Sequence, residues 1–256
     1  MNLQMKSIFK LSFRILVLLM LLEASKAFSQ VCPPNIGFEL GDMTQWQSFI
    51  NNGCTGLGCC PINACSFQGV NFQIPGRIEV TDLTWGNDAN CGIPCVCPVQ
   101  PPIVNLHSLK LGNANSGSES EKVRIQFPVS TNNSTLIYRY AAVLNSGGHA
   151  ATDQPRVVFT VYDAGPITAP YTTPVVVPCP SYNIPSPTSS TNMPPFWFVS
   201  PSSNQIYCSN WIPVSVNLAA LNGHLVILEF ATGDCSFGGH YGYAYLDIPG
   251  GCNPFR

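Results

Sequence analysis

Five polar residues of this 256-residue chain could do chemistry together: His149, Asp153, Arg156, Asp234 and His240. They fall in two short stretches, Gly148-His149 with Asp153-Gln154-Pro155-Arg156, and Asp234-Cys235 with Gly239-His240. Two histidines and two aspartates make a transition-metal site if the stretches meet. A histidine acting as general base would make a hydrolytic dyad. A third reading is structural. Asp and His beside Gly and Pro hold turns by bonding the backbone, and Arg156 pairs with Asp153 or Asp234. The structural reading is the stronger one, because no nucleophile elbow, HExxH or P-loop accompanies these residues. With 13 acids in all, a paired-carboxylate glycosidase is not favoured either.

Aromatics are the second chemical resource. Trp85, Trp197, Tyr182 and Tyr207, with Tyr171, fall in irregular segments. An exposed aromatic ring stacks on a sugar through its apolar area, while Asn and Gln read hydroxyls. Phe196-Trp197-Phe198 would form such a platform, or else a short buried strand. Trp46 and Trp211 stand beside strand-like runs and read as core. Charged residues are only 9% of the chain and the formal net charge is -2. That leaves no basic field for nucleic acid and suits a neutral partner such as extracellular glycan, or a cell-surface protein.

The first 29 residues read as a signal peptide. Lys6, Lys10 and Arg14 precede the apolar run Ile15 to Leu22, and Ala27-Phe28-Ser29 offers a cleavage site before Gln30. The run is too short to cross a bilayer, and no later stretch is long enough, so no membrane span is expected after signal removal. The chain is expected to be secreted or held at the cell surface. Its 12 cysteines, all beyond the signal, then imply disulfides. Cys95-Val96-Cys97 and Cys59-Cys60 lack the spacing of a zinc knuckle.

Short runs rich in β-branched and aromatic residues must carry these groups. Val123 to Phe127, Leu136 to Leu144, Arg156 to Tyr162, Ile212 to Leu218, Leu225 to Phe230 and Tyr241 to Ile248 read as strands, with Arg77 to Val80 and Ser108 to Leu111 before them. Eight or more strands between Gly- and Pro-rich turns predict an all-β jelly-roll β-sandwich of two antiparallel sheets, with long disulfide-stapled loops. Residues 30–256 read as one such domain with two insertions. A Cys-rich insertion spans 53–100 and a Pro/Ser-rich one spans 166–209. The second is longer than an ordinary loop. A Cys179–Cys208 bond is one pairing that would pin it, closing ~30 residues and stabilising by roughly 3–4 kcal/mol.

Asn35-Ile36-Gly37-Phe38-Glu39-Leu40-Gly41-Asp42 with Trp46, and Tyr243-Ala244-Tyr245-Leu246-Asp247, together resemble the galactose-binding-like jelly rolls common among carbohydrate-binding modules. The resemblance implies that the first and last strands lie side by side and share a structural calcium ion. Glu39 and Asp247 would supply carboxylates, carbonyls near Gly37 and Lys110 would help, and Asp42 is a further ligand. Such ligands suit a hard cation that takes six to eight oxygens. Ser108 to Asn113, Tyr138-Arg139-Tyr140-Ala141, Asp153-Gln154-Pro155-Arg156 and Gly238-Gly239-His240-Tyr241-Gly242-Tyr243-Ala244-Tyr245 narrow the likeness. In that order they look like jelly-roll domains of secreted surface proteins of gliding bacteria. PKD repeats and a sorting domain often follow there, and this sequence stops at Arg256 without them. The resemblance implies a non-catalytic binding or adhesion module that recognises extracellular carbohydrate. A structural or protein-interaction module, and a metal-dependent hydrolase using His149, Asp153 and His240, are the competing readings.

Overall fold

A computed structural model describes residues 32–52, 68–70, 72–100, 103–169 and 173–251. The expected signal peptide, Cys54, Cys59, Cys60, Cys65 and Tyr171 lie outside the described residues.

Strand β5 (Ser120–Pro128) shows why the chain forms sheets. Val123, Ile125 and Phe127 point inward and are buried, while Arg124 and Gln126 point out. This period of two fits a strand with one face on a core. The first half of β6 (Thr135–Asn145) shows the same alternation, whereas β7 (Arg156–Pro166) is mostly buried and β13 (His224–Gly233) and β14 (Gly242–Asp247) are buried on both faces along nearly their whole length. Shorter strands complete the set: β1 (Gln47–Asn51), β2 (Gln68–Val70), β3 (Ile78–Asp82), β4 (His107–Leu111), β8 (Val175–Val176), β9 (Tyr182–Pro185), β10 (Trp197–Val199), β11 (Ile206–Ser209) and β12 (Ile212–Asn217).

The strands form two antiparallel sheets. The first runs β2-β1-β5-β13-β7-β8, with β9 also on β7. The second runs β10-β11-β6-β14-β4-β3, with β12 also on β6. Chain neighbours β4 and β5, β5 and β6, β6 and β7, and β13 and β14 lie in different sheets, the crossing pattern of a jelly roll. The inner faces meet in one apolar core. Phe159, Phe230 and Tyr138 pack there with ring centroids 4.4 to 5.1 Å apart, and Phe38 stacks on Trp46 at 4.8 Å. No helix among the described residues is long and apolar enough to cross a membrane.

Three expectations need correction. The Pro/Ser-rich stretch 166–209 is not a loop outside the sandwich, because it supplies β8 and β9 to one sheet and β10 and β11 to the other. Its prolines sit at strand ends such as Pro185, where a missing N–H costs the ladder least. Cys179 and Cys208 are not joined: Cys208 bonds Cys91, and Cys179 is an exposed free thiol. The Cys91–Cys208 bond spans 117 residues, for which loop-closure entropy gives a stabilisation of about 5 kcal/mol. Finally, the segment from Asn35 to Gln45 folds as consecutive turns, and β1 begins only at Gln47. Strand β1 lies in the first sheet and β14 in the second, so the terminal strands are not neighbours.

Candidate functional site

The turn segment still reaches the end of β14. A Cβ on Gly37 would lie 2.8 Å from the Ile248 carbonyl oxygen and 3.7 Å from Asp247 Oδ1, so only glycine lets the turn approach this closely. Phe38, at φ 65°, turns the chain so that Glu39 follows, and Glu39 Oε2 accepts the Leu106 amide at 3.2 Å. Asp247 is wholly buried. Its Oδ2 accepts from the Asn105 side-chain amide and from Ser108 Oγ (2.9 Å), but its Oδ1 has no partner, nor does Asn105 Oδ1. Burial pushes the Asp247 carboxyl up to about 8. The hydrogen bonds from Asn105 and Ser108 offset part of that rise, and the Glu39 charge adds to it.

These oxygens fit calcium. Carboxylates and amide carbonyls are its ligands, and two buried acceptors without donors are what a cation would satisfy. Asp247, Asn105 and Glu39 would hold the ion, with the Ile248 carbonyl beside them. Asp42 is committed elsewhere: its Oδ1 accepts from the Thr44 amide (2.8 Å) and Asn35 Nδ2 (3.2 Å) to close the turn. Lys110 pairs with Tyr245, two residues along β4 from Ser108, and its Nζ sits over the Tyr243 and Trp85 rings. Asn105 and Ser108, which the sequence does not mark, bond Asp247 directly. Nothing in a single sequence flags a lone Asn in a loop before β4.

The expected aromatic platform is not assembled. Trp197 is 8% exposed and Tyr207 5%, and both face the core from the inner side of the second sheet. Trp197 therefore belongs to a buried strand, as its flanking Phe198 and Val199 allow. Trp85 (39%) and Tyr182 (43%) are exposed but belong to different sheets: Trp85 follows β3 in a 3₁₀ turn, and Tyr182 opens β9.

The outer face of the second sheet is sealed by the segment after β3. Asp88 organises it. Its Oδ1 caps the amides of Asn90 and Cys91, each at 2.9 Å, and its Oδ2 accepts the hydroxyls of Tyr243 (2.8 Å) and Tyr245 (2.9 Å). Cys91, Ile93 and Cys95 pack on Ala141, Val143, Tyr243 and Tyr245, and the Trp211 indole donates to the Pro94 carbonyl at 2.9 Å. Cys95 and Cys97 are buried free thiols whose pKa values are raised, first of all by burial.

The outer face of the first sheet carries a polar and aromatic group that the sequence reading missed. Arg124 donates to Glu229 through Nε (3.0 Å) and Nη2, and Lys122 Nζ lies 3.4 Å from the same carboxylate. The Tyr162 hydroxyl donates to the other Glu229 oxygen at 3.2 Å. Phe49 and Tyr162 flank the Arg124 guanidinium at 5.5 and 5.8 Å, within cation–π range. Lys122, Arg124 and Gln126 occupy alternate positions of β5, a visible signal in a chain with so few charges. Its meaning depends on β13 and β7 pairing alongside.

The five polar residues separate into two sets. Asp153 accepts from Ser236 Oγ at 2.8 Å, and Asp234 accepts the amides of Glu119 (3.0 Å) and Gly242 (3.1 Å). Arg156 donates to the carbonyls of Ala151, Thr152 and Gln154. These three bind turns, so Asp153 and Asp234 do not join a two-His, two-Asp metal site. His149 and His240 do meet, with ring centroids 5.2 Å apart. Burial, then the neighbouring His149, holds His240 below its ordinary pKa.

No protein-family model matches this chain, and no curated protein matches it. Among solved structures it is similar to TmCBM61 in complex with beta-1,4-galactotriose, at 11% identity and TM-score 0.33 over 86% of this chain and 99% of the other. It is also similar to a family 11 carbohydrate-binding module from Clostridium thermocellum in complex with a beta-1,3-1,4-mixed-linked tetrasaccharide, at 7% identity and TM-score 0.31 over 80% and 86%. A third likeness is to the enzymatically active domain of bacteriophage CBA120 tailspike protein 4, at 7% identity and TM-score 0.37 over 85% of this chain and 21% of that one. At these identities and TM-scores the likenesses bear on neither ligand nor chemistry.

Proposed function

We propose that this chain is a secreted, non-catalytic module that binds extracellular carbohydrate on the outer face of its first sheet, with calcium as a structural ion at the end of β14. The observation that carries the reading is the Phe49–Arg124–Tyr162 group. Register places Gln47, Arg124, Glu229 and Thr160 in one row across four strands, with Gln126 and Tyr162 in a neighbouring row. Phe49 and Tyr162 are half-buried, and the Arg124 guanidinium lies over both rings. The solvent-facing remainder of these rings offers apolar area to a sugar's C–H face, and Gln47, Arg124 and Gln126, which reach solvent, would read its hydroxyls, with buried Glu229 holding Arg124 in place without the cost of ordering a long side chain. No catalytic role is assigned, since Glu229 is held by two cations and the Tyr162 hydroxyl, with no second free carboxylate described across the face.

The test is a broad glycan array probed with the purified exported protein, its calcium supplied, alongside the variants Phe49→Ala, Tyr162→Ala and Trp85→Ala. Binding that is lost in the first two and kept in the third, with melting temperatures retained, is the expected result. Loss confined to Trp85→Ala would move the site to the second sheet and overturn the assignment. Binding to no glycan would overturn the carbohydrate reading and leave a structural or protein-interaction module.

A further inference from the structure

The two histidines that meet are not alone. His149 lies in the connection from β6 to β7, and Cys235 and His240 lie in the connection from β13 to β14. One ligand atom from each of the three falls within 4.8 Å of the other two. Cys235 is a buried free thiol, and its Sγ lies 3.5 Å from His240 Nδ1. Two ligands on a tetrahedral zinc ion, one at ~2.3 Å through sulfur and one at ~2.0–2.1 Å through nitrogen, stand about 3.5 Å apart. The thiol and imidazole are therefore already at the spacing such an ion imposes.

Three further features point the same way. His149 Nε2 is buried and has no hydrogen-bond partner. The His240 amide donates to Cys235 Sγ at 3.3 Å, a contact that favours the thiolate. Gly147 leaves the room in which the rings converge: a Cβ there would lie 2.4 Å from His149 Nε2 and 2.5 Å from His240 Nδ1. The backbone around the group is held independently of any ion. Gln154, fully buried, accepts the Gly147 amide at 3.1 Å and donates to the His149 carbonyl at 3.0 Å. Asp153 holds Ser236 and Asp234 holds Gly242, so both loops are fixed on either side of the cluster.

We infer that His149, Cys235 and His240 form a site for a borderline-soft transition metal, zinc(II) in the first place, with one thiolate and two imidazoles and a fourth position left to water or an outside ligand. Thiolate and imidazole together select zinc or copper over calcium and magnesium, which take oxygen. The site goes beyond the carbohydrate reading and does not depend on it.

Cobalt(II) serves as the probe, because a cobalt–thiolate bond gives a charge-transfer band and a tetrahedral cobalt ion gives strong visible absorption. The exported protein, stripped with a chelator, is titrated with cobalt and then with zinc. One equivalent of cobalt is expected to give both bands, and one of zinc to abolish them. Cys235→Ser should lose the charge-transfer band, and Gly147→Ala should weaken binding at least tenfold. Circular dichroism and a cooperative thermal transition confirm that each variant is folded. Should Cys235→Ser fail to fold, alkylation of the unaltered protein replaces it, with zinc expected to protect Cys235 and calcium not. Absence of the charge-transfer band, or Cys235 found in a disulfide by peptide mapping, overturns the inference.

Discussion

Asp247→Asn tests the calcium reading most sharply, because the expected sign is opposite to that of an ordinary core lesion. In the ion-free protein, Asp247 Oδ1 and Asn105 Oδ1 are buried acceptors without donors. With the Asp247 carboxyl ionised, above about pH 8, each such group costs about 1–3 kcal/mol, so ion-free protein there carries a penalty of roughly 2–6 kcal/mol that calcium would remove. Calcium at 100 times its dissociation constant stabilises by about 2.7 kcal/mol through mass action. In a β-sandwich of this size, 1 kcal/mol moves the melting temperature by about 2–4 °C, which gives a rise of roughly 5–11 °C over an EDTA control. Magnesium, smaller and stricter in geometry, should give much less. The asparagine keeps an oxygen for Ser108 and Asn105 and supplies an N–H where Oδ1 had no donor. Asp247→Asn should therefore melt at or above the ion-free parent in EDTA and show no calcium increment. Differential scanning calorimetry of both proteins, with calcium and with EDTA, reads all four values. A parent indifferent to calcium, or a variant that keeps the increment, would falsify the reasoning.

Two further outcomes follow from buried carboxylates. Glu121 is 2% exposed, bonded by Arg77 Nε at 2.6 Å and by Thr232, and burial raises it from an ordinary 4.5 to about 7. The folded state then binds the proton more tightly than the unfolded one, so this contribution is full below about pH 4.5 and is lost as pH rises through 7. Glu121→Gln should flatten the fall in stability between pH 5 and pH 8 by up to about 3 kcal/mol, measured by urea unfolding at saturating calcium; an unchanged slope would exclude Glu121 as its source. Asp88→Ala should cost about 3 kcal/mol or more, since it removes the acceptor for the buried hydroxyl protons of Tyr243 and Tyr245 and frees the segment over the second sheet. Denaturant unfolding measures the loss, and a change under 1 kcal/mol would mean the Cys91–Cys208 bond alone holds that segment.

The alternation of Val123, Ile125 and Phe127 reads β5 from the sequence, because a strand with one buried face writes its period locally, while β7, β13 and β14 are legible from their β-branched and aromatic content, as strands with few exposed positions are. The short strands β8, β9 and β11 are hidden among prolines and serines, and β10 is legible only as an alternative to an aromatic platform, since strands of two to four residues are held by their neighbours and not by a pattern of their own. Glu39 and Asp247 were marked only by the resemblance to galactose-binding-like jelly rolls, since two acids far apart in a sequence carry no pattern of their own. Asn105 was not marked at all, because its role arises only when the loop before β4 meets the end of β14. Trp197 misled for a related reason. Irregular composition around it suggested exposure, whereas pairing of β10 with β11 turns its ring inward. Cys235 was passed over as one member of an even set, and only the fold places it between two histidines.

Strand β14 links the two candidate ion sites. Residues 234–241 enter it with Cys235 and His240, and Asp247 ends it, with Gly242 to Asp247 spanning roughly 17 Å of extended chain. The strand is central to the second sheet, paired with β6 on one side and β4 on the other, so it is a rigid spacer. The donor sets differ in kind: oxygen alone at Asp247, sulfur and nitrogen at Cys235. A hard cation is poorly held by the second set and a borderline-soft one is better served there than by carboxylate and amide oxygen. Sites this far apart and without shared ligands should contribute additively to stability. Calcium and zinc added together should therefore raise the melting temperature by the sum of their separate effects, with Asp247→Asn removing only the calcium part and Cys235→Ser only the zinc part. A loss of both increments in either variant would mean that β14 transmits strain from one end to the other, and that the two sites are one coupled unit.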